Sequence, residues 1–432
     1  MTTRNPWAWI PTLYFGQGIP YVVVMTLSVI MYKNLGLDNT QIALYTSWLY
    51  LPWVIKPLWS PLIELFGTKR GWIVVLQFAI GASLALVALT IPGSDAFRMT
   101  LAMFWLMAFA SASHDIAADG FYMLSLPAHS QAAFVGVRST FYRLANIGGQ
   151  GGLVYLAGVL QERTGSMATA WSIVFWVLTG LFILMAAYHW LMLPRPASDV
   201  RGVGGVGGGG SASTADAGRL VREFFQVFAE FFKRPGIAVF IGFMLLYRFP
   251  EAQLLKLATP FLLDSTEAGG LGLTTKGVGI AYGTVGLTAL TLGGLLGGVI
   301  ISRIGLKRAI WPMVLSMHVP NVVFLLLAHF QPDSLVVVST ALAIEQFGYG
   351  LGFTAYLMVL IHVADGPHKT AHYAICTGFM ALGMMLPGMW SGWLQAQLGY
   401  QAFFIWVLVA TIPSLAATAL IKIPDGFGKK DE

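Results

Sequence analysis

Twelve stretches of the chain are predominantly apolar over a helix's worth of residues, and charged or turn-forming residues divide them. The first half holds Trp7–Tyr32, Gln41–Ile63, Trp72–Ile91, Met99–Leu124, Ala132–Leu160 and Ala170–Leu193. The second half holds Ile237–Leu263, Val278–Ile301, Ala309–Phe330, Leu335–Val363, Ala371–Gln397 and Ala402–Ile421. A bilayer core about 30 Å thick is crossed by roughly 20 apolar residues in helical form. The pattern therefore predicts an all-α polytopic membrane protein with 12 transmembrane helices, six on either side of a central break. The N-terminal run has no signal-peptide cleavage pattern and reads as a first span kept in the mature chain.

The break is Pro194–Gly218, rich in Gly, Ser and Ala and without apolar period, which reads as a flexible linker. After it Phe224, Phe225, Phe228, Phe231 and Phe232 recur at three- and four-residue steps between charges. That spacing fits an amphipathic helix at the membrane surface and equally a cytosolic extension of the seventh span. The expected domains are an N-terminal six-helix bundle (1–193), a linker with an amphipathic helix (194–235), a C-terminal six-helix bundle (236–423) and a short tail (424–432).

Composition agrees with this pattern. Apolar residues make up 56% of the chain and charged residues 10%, against about 25% charged in soluble domains. The net charge of +6 follows from loop orientation rather than from a nucleic-acid surface. With both termini in the cytosol, seventeen Lys and Arg fall on the inner side. Only Lys33, Arg98, Arg163 and Lys276 fall on the outer side, and Lys56, Arg143, Arg248 and Lys256 lie within spans. Such an imbalance predicts a multi-pass membrane protein with both ends in the cytosol. The single cysteine, Cys376, excludes an intrachain disulfide and a cysteine zinc site. No metal-ligand cluster or P-loop occurs, and GVGGVGGGG lacks the Lys-Ser/Thr of a phosphate cradle. No cofactor is expected, and ATP is not expected to drive the protein directly.

The loop between the second and third spans, Ser60–Arg70, repeats between the eighth and ninth as Gly298–Arg308. Gly67, Lys69 and Arg70 align with Gly305, Lys307 and Arg308, and Glu64 aligns with Ser302, next to Arg303. Two halves carrying one signal in one loop imply two related six-helix bundles. The loop resembles the signature Gly-x-x-x-Asp-Arg-x-Gly-x-Arg/Lys-Arg of the major facilitator superfamily, which implies the major facilitator fold. For Lys69 and Lys307 taken singly, ordinary positive-inside anchoring explains as much.

Two further segments narrow the resemblance. KPLWSPLIELFGTKRGW (Lys56–Trp72) and SASHDIAADGFYMLSLP (Ser111–Pro127) are similar to segments of AmpG-type muropeptide permeases and acetyl-CoA transporters. Asp115 and Asp119 match the family's acids, and His114 stands where Gln is usual. The seventh-span YRFPEA and tenth-span IEQFGYGLGFTAYLMVLI agree as well. The resemblance implies a proton-driven importer of the inner membrane. Its solute would be a muropeptide in the AmpG type, and acetyl-CoA or a siderophore in other relatives.

The residues themselves offer chemistry. Asp115 and Asp119 lie one helical turn apart with His114 beside them. Carboxylates in a span cost roughly 2.5–3.5 kcal/mol and face a cavity or a partner. They are candidates for proton coupling or gating, with Glu251 and Glu345 behind them; a static cluster paired with Lys56 or Arg138 is the plainer reading. Tyr14, Gln17 and Tyr21 form a stripe on the first span, and Arg143, Asn146 and Gln150 another on the fifth. Arg248 with Glu251 on the seventh, and Glu345, Tyr349 and Tyr356 on the tenth, complete a candidate substrate-binding set. Singly, the tyrosines are as well explained by helix packing, and His318 reads as a packing or hydrogen-bonding residue. The expected partners are a small solute, protons and lipid, with no nucleic acid, and the chain is expected to be a monomer. A membrane-embedded enzyme and a transporter-like sensor are the competing classes.

Overall fold

Among the residues described by a computed structural model (4–126, 128–197, 199, 222, 225–366 and 368–429) nine helical segments are long and apolar enough to cross a membrane. One of them, Ala371–Leu420, contains two passages, because Gly399 (φ 73°, ψ 167°) reverses the chain. Two more passages bring the number to twelve. The second span is Asn39–Trp48 followed by Leu51–Leu65, and the fifth is Ala128–Ile147, a π-helical Gly148–Leu153, and Val154–Thr164. Polar residues lower their hydropathy; among them Lys56 and Arg138 pair with the aspartates described below, and Arg143 bonds across the halves. The other spans are Pro6–Asn34, Lys69–Thr90, Ala96–Ser125, Met167–Met192, Ile237–Leu263, Thr275–Ile304, Leu306–Phe330 and Leu335–Ala364. The side chain of Glu64, Phe224 and most of the linker lie outside the described residues.

The large apolar side chains that remain exposed, such as Leu184, Trp190, Leu295 and Val336, stand on the spans. A hydrocarbon environment covers such faces. Phe231, which precedes the seventh span, is buried against His372 and Phe379 (centroids 5.6 and 6.4 Å). Gly236, at φ 75°, separates this segment from the seventh span, so the two are not one continuous helix.

The repeated loops share a geometry. Gly67 and Gly305 both take φ 78°, a value that favours glycine. Each loop is also fastened by an acid that follows the last span of its own half. Asp199 accepts the Lys69 and Arg70 backbone N–H groups (2.7 and 3.0 Å), capping the third span. Asp425 pairs with Lys307 at 2.7 Å, and that lysine holds the Asp425 carboxyl below the usual range. The Leu306 N–H donates to the Phe427 carbonyl at 2.8 Å.

The first and last described segments, around Arg4 and around Asp425 and Phe427, lie on the side of these loops, the terminal side. The polar ties between the two halves gather at the opposite end and at mid-depth. Lys33 pairs with Asp264 at 2.5 Å. Asn39 donates to Gln395 and Tyr400, both at 2.9 Å, and the Tyr400 hydroxyl donates to Asp264 at 2.6 Å. Asn34 donates to Thr275 at 3.1 Å. Backbones also meet there, since a Cβ on Gly158 would stand 2.6 Å from the Lys276 nitrogen. Asp264→Asn removes the charge on which Lys33, Asn39 and Tyr400 converge. Losing a hydrogen bond to a charged group costs about 1.5–3 kcal/mol, so the far end should open at least tenfold more often. Spin-label distances across that end would lengthen; an unchanged distribution would mean the pair does not hold the end shut.

Candidate functional site: a cationic, aromatic cluster between the halves

The seventh span breaks at Tyr247–Arg248 because Pro250 has no N–H to donate to the preceding turn and disfavours helix just before it. The break turns Arg248 toward the other half of the molecule. Its guanidinium lies 4.8 Å from the Phe353 ring and 5.5 Å from the Tyr349 ring, and it donates to the Tyr349 hydroxyl. Tyr21 and Tyr50, from the first half, lie within its electrostatic reach. Arg248 is buried, its Nε has no hydrogen-bond partner, and no carboxylate forms an ion pair with it among the described residues. Two turns on, Lys256 is also buried; it donates to Thr46 at 2.9 Å and lies 5.2 Å from the Tyr50 ring. Two buried cations thus stand near Tyr50, with no anion paired to either among the described residues. Buried charges are normally paired, so this strip is an electropositive place between the halves.

The first-span stripe runs between this strip and the terminal side. Tyr21 packs edge-on against Trp53 at 5.4 Å. The Gln17 amide faces Asp115 and leaves its own Oε1 without a partner. Asp115 accepts from Trp53 Nε1 at 3.2 Å and lies 3.7 Å from Lys56. Tyr14 donates to Asp119 at 3.2 Å, and Arg138 donates to the same oxygen at 2.6 Å while covering the Tyr14 and Tyr122 rings. Each aspartate therefore faces its own cation.

Other residues singled out in the sequence lie elsewhere. The His114 ring points away from the two aspartates and bonds to Gln77, which bonds His189, which in turn meets Thr12. This chain ties four spans of the first half. Arg143 donates to the Thr291 carbonyl across the two halves at 3.2 Å, and Asn146 donates to the Tyr142 carbonyl of its own helix. Gln150 is buried where the fifth and eighth spans touch. Tyr356 donates to the Met244 carbonyl and stacks on Tyr247. Glu345 is buried and accepts from Gln346 at 2.8 Å.

Sequence reading passed over Tyr50, Trp53 and Phe353, and it did not carry Lys56 and Lys256 into the site. The two lysines were visible as charges inside spans. The aromatics carried no such signal, since a tyrosine or tryptophan in a span is most simply packing.

The Major Facilitator Superfamily model matches residues 12–373. The chain belongs to that superfamily. An anhydromuropeptide permease of Escherichia coli is 24% identical over 417 residues, covering 93% of this chain and 77% of that protein. An uncharacterised protein of Haemophilus influenzae is 26% identical over 420 residues, covering 93% and 91%. Among solved structures, a D-xylose-proton symporter superposes with a TM-score of 0.68 at 14% identity, covering 98% of both chains. A bacterial homologue of the lysosomal transporter Spinster, inward-facing and unoccupied, gives 0.67 at 16% identity over 95% of this chain and 94% of that one. The protein is thus a multi-pass membrane transporter of this superfamily, with the major facilitator fold. The cluster around Arg248 and Lys256 lies between the two bundles.

Proposed function

We propose that this transporter imports an anhydromuropeptide-type solute across the bacterial inner membrane, driven by protons. The observation that carries the reading is the strip of two buried cations near Tyr50, Arg248 and Lys256, with no ion pair to either among the described residues. A muropeptide brings carboxylates for the cations. It also brings sugar faces for Tyr21, Tyr50, Trp53 and Tyr349, since rings with apolar faces pack on aromatic side chains. The name of the Escherichia coli relative supports the same choice. Both termini stand in the cytosol in this reading, so the closed end faces the periplasm and the structure is inward-facing. The protein acts as a monomer, with the two bundles (1–193 and 236–423) rocking about the site and the linker joining them.

Asp115 with Lys56 and Asp119 with Arg138 form the gating pairs of the cytosolic side, with Tyr14 and Gln17 between them. The Asp119–Arg138 pair is partly exposed, so its loss is worth about 0.5–1 kcal/mol. Asp119→Asn should slow uptake roughly two- to fivefold while leaving solute affinity in detergent unchanged. An equal loss in affinity would place Asp119 in the binding site instead.

The solute is tested by thermal-shift measurement on the purified full chain with an anhydromuropeptide, acetyl-CoA and a siderophore. Stabilisation by the muropeptide alone supports the proposal. Stabilisation by acetyl-CoA or the siderophore in its place reassigns the solute.

A further inference from the structure

Within the second half, away from the aspartates, four side chains close a buried hydrogen-bond chain. His318 Nδ1 lies 2.6 Å from Glu251 Oε1, and His318 Nε2 lies 2.7 Å from Ser414 Oγ. Ser414 Oγ donates to the Tyr247 carbonyl at 2.7 Å, the carbonyl freed by the break in the seventh span. Asn321 Nδ2 donates to the same Glu251 oxygen at 3.2 Å. His318 and Glu251 are 3% and 1% exposed, so the pair is buried in this conformation.

Counting hydrogens fixes the charge. A serine hydroxyl has one hydrogen. Ser414 gives its hydrogen to Tyr247, so it accepts from His318, and Nε2 carries a proton. The 2.6 Å contact at the other ring nitrogen needs one more proton, on Nδ1 or on Oε1. Either way the pair is neutral as a unit and holds one labile proton. Glu251 Oε2 and Asn321 Oδ1 have no partners. The carboxylate left when the proton departs keeps the neutral Asn321 amide as a donor at Oε1 and none at Oε2 among the described residues, and a buried charge without an ionic partner is costly.

We infer that the His318–Glu251 pair is the proton-binding site of the transport cycle, loaded in the conformation seen here. The inference deepens the proton-driven reading above and rests on it. The titratable groups facing the pair are Tyr247 on the seventh span and Glu345 and Tyr349 on the tenth. The ninth and twelfth contribute the neutral Asn321 and Ser414. Arg248, one turn before Glu251, is the cation of the solute strip. Its charge favours loss of the proton. A solute anion bound to Arg248 cancels that charge and favours retention. Solute and proton therefore each tighten the binding of the other, by the same factor. That reciprocity is what lets a proton gradient accumulate solute.

The test is infrared pH-difference spectroscopy on the purified full chain, which reads carboxyl and imidazole protonation without any solute. The parent should show a carboxyl and an imidazole signal titrating together. Glu251→Gln and His318→Gln should each abolish the joint signal, while Asp115→Asn and Glu345→Gln keep it. A joint signal that survives in Glu251→Gln, or that vanishes in Glu345→Gln instead, overturns the assignment, as does a parent without one. In proteoliposomes, addition of an anhydromuropeptide should draw in protons with the parent and not with Glu251→Gln. If the infrared result holds and no solute-linked proton uptake occurs in the parent, the site stands as a proton-binding site and the proton-driven reading fails. If proton uptake occurs and persists undiminished in Glu251→Gln, the reading stands and the site is wrong.

Discussion

Replacing Arg248 with glutamine is expected to weaken binding of an anionic solute by roughly 30-fold to more than 1,000-fold, the equivalent of about 2–5 kcal/mol for one partner of a desolvated charge pair. The guanidinium is buried, its Nε has no partner, and its neighbours are aromatic faces and the Tyr349 hydroxyl. Nothing nearby takes over its charge except Lys256, near Tyr50. Arg248→Lys should recover only part of the affinity, because an ammonium lacks the planar fork that binds a carboxylate in two places. Affinity measured by calorimetry for an anhydromuropeptide and for its amidated, less anionic analogue separates the outcomes. A large loss for the anionic form and a small one for the amidated form fits the strip. An equal loss for both would make Arg248 a structural element. Arg143→Gln should have the smaller effect of the two, since Arg143 is already engaged with the Thr291 carbonyl.

The second large effect concerns the crossing of the fifth and eighth spans. Both spans are π-helical there, over Gly148–Leu153 and Gly279–Gly286. The widened turns let the two backbones touch. A Cβ on Gly283 would stand 2.2 Å from the Gln150 carbonyl oxygen and 2.6 Å from the Gly151 Cα. Those are backbone atoms, which cannot swing aside as a side chain end does. Gly283→Leu should therefore fold, since the clash lies between the bundles rather than within one, but it should not close the end remote from the termini. Transport should fall to background, and spin-label distances across that end should lengthen to a single open population. Gly298→Leu, on the same span but with open space around it, should transport as the parent does. Normal transport by Gly283→Leu would mean that the crossing separates and re-forms without this contact.

Hydropathy made the twelve passages legible, and the repeated loop made the two-fold plan legible. Both signals are local: a run of apolar residues, or glycines and cations at fixed spacing. The positive φ at Gly67 and Gly305 was readable on the same grounds. What was not legible were partners far apart in sequence. Asp199 caps a helix that begins 130 residues earlier, and nothing around it marks it as a cap rather than a linker residue. Periodicity placed Tyr14, Gln17 and Tyr21 on one face, yet it does not say that Tyr14 meets Asp119 while Tyr21 meets Trp53. His114 adjoins Asp115 in sequence, but neighbours on a helix point about 100° apart, and its ring turns to Gln77. His318 was readable as a hydrogen-bonding histidine; that it faces Glu251 depends on how the seventh and ninth spans pack.

The central claim is that a proton gradient drives uptake of an anhydromuropeptide through the cluster around Arg248. The most direct test uses purified full-length protein in liposomes with an acidic exterior and an alkaline interior. The account predicts that labelled anhydromuropeptide accumulates inside above its external concentration. It also predicts that a protonophore collapses the accumulation to equilibrium, and that Arg248→Gln never exceeds equilibrium. Labelled solute that only equilibrates with the parent protein, whatever the gradient, would contradict it.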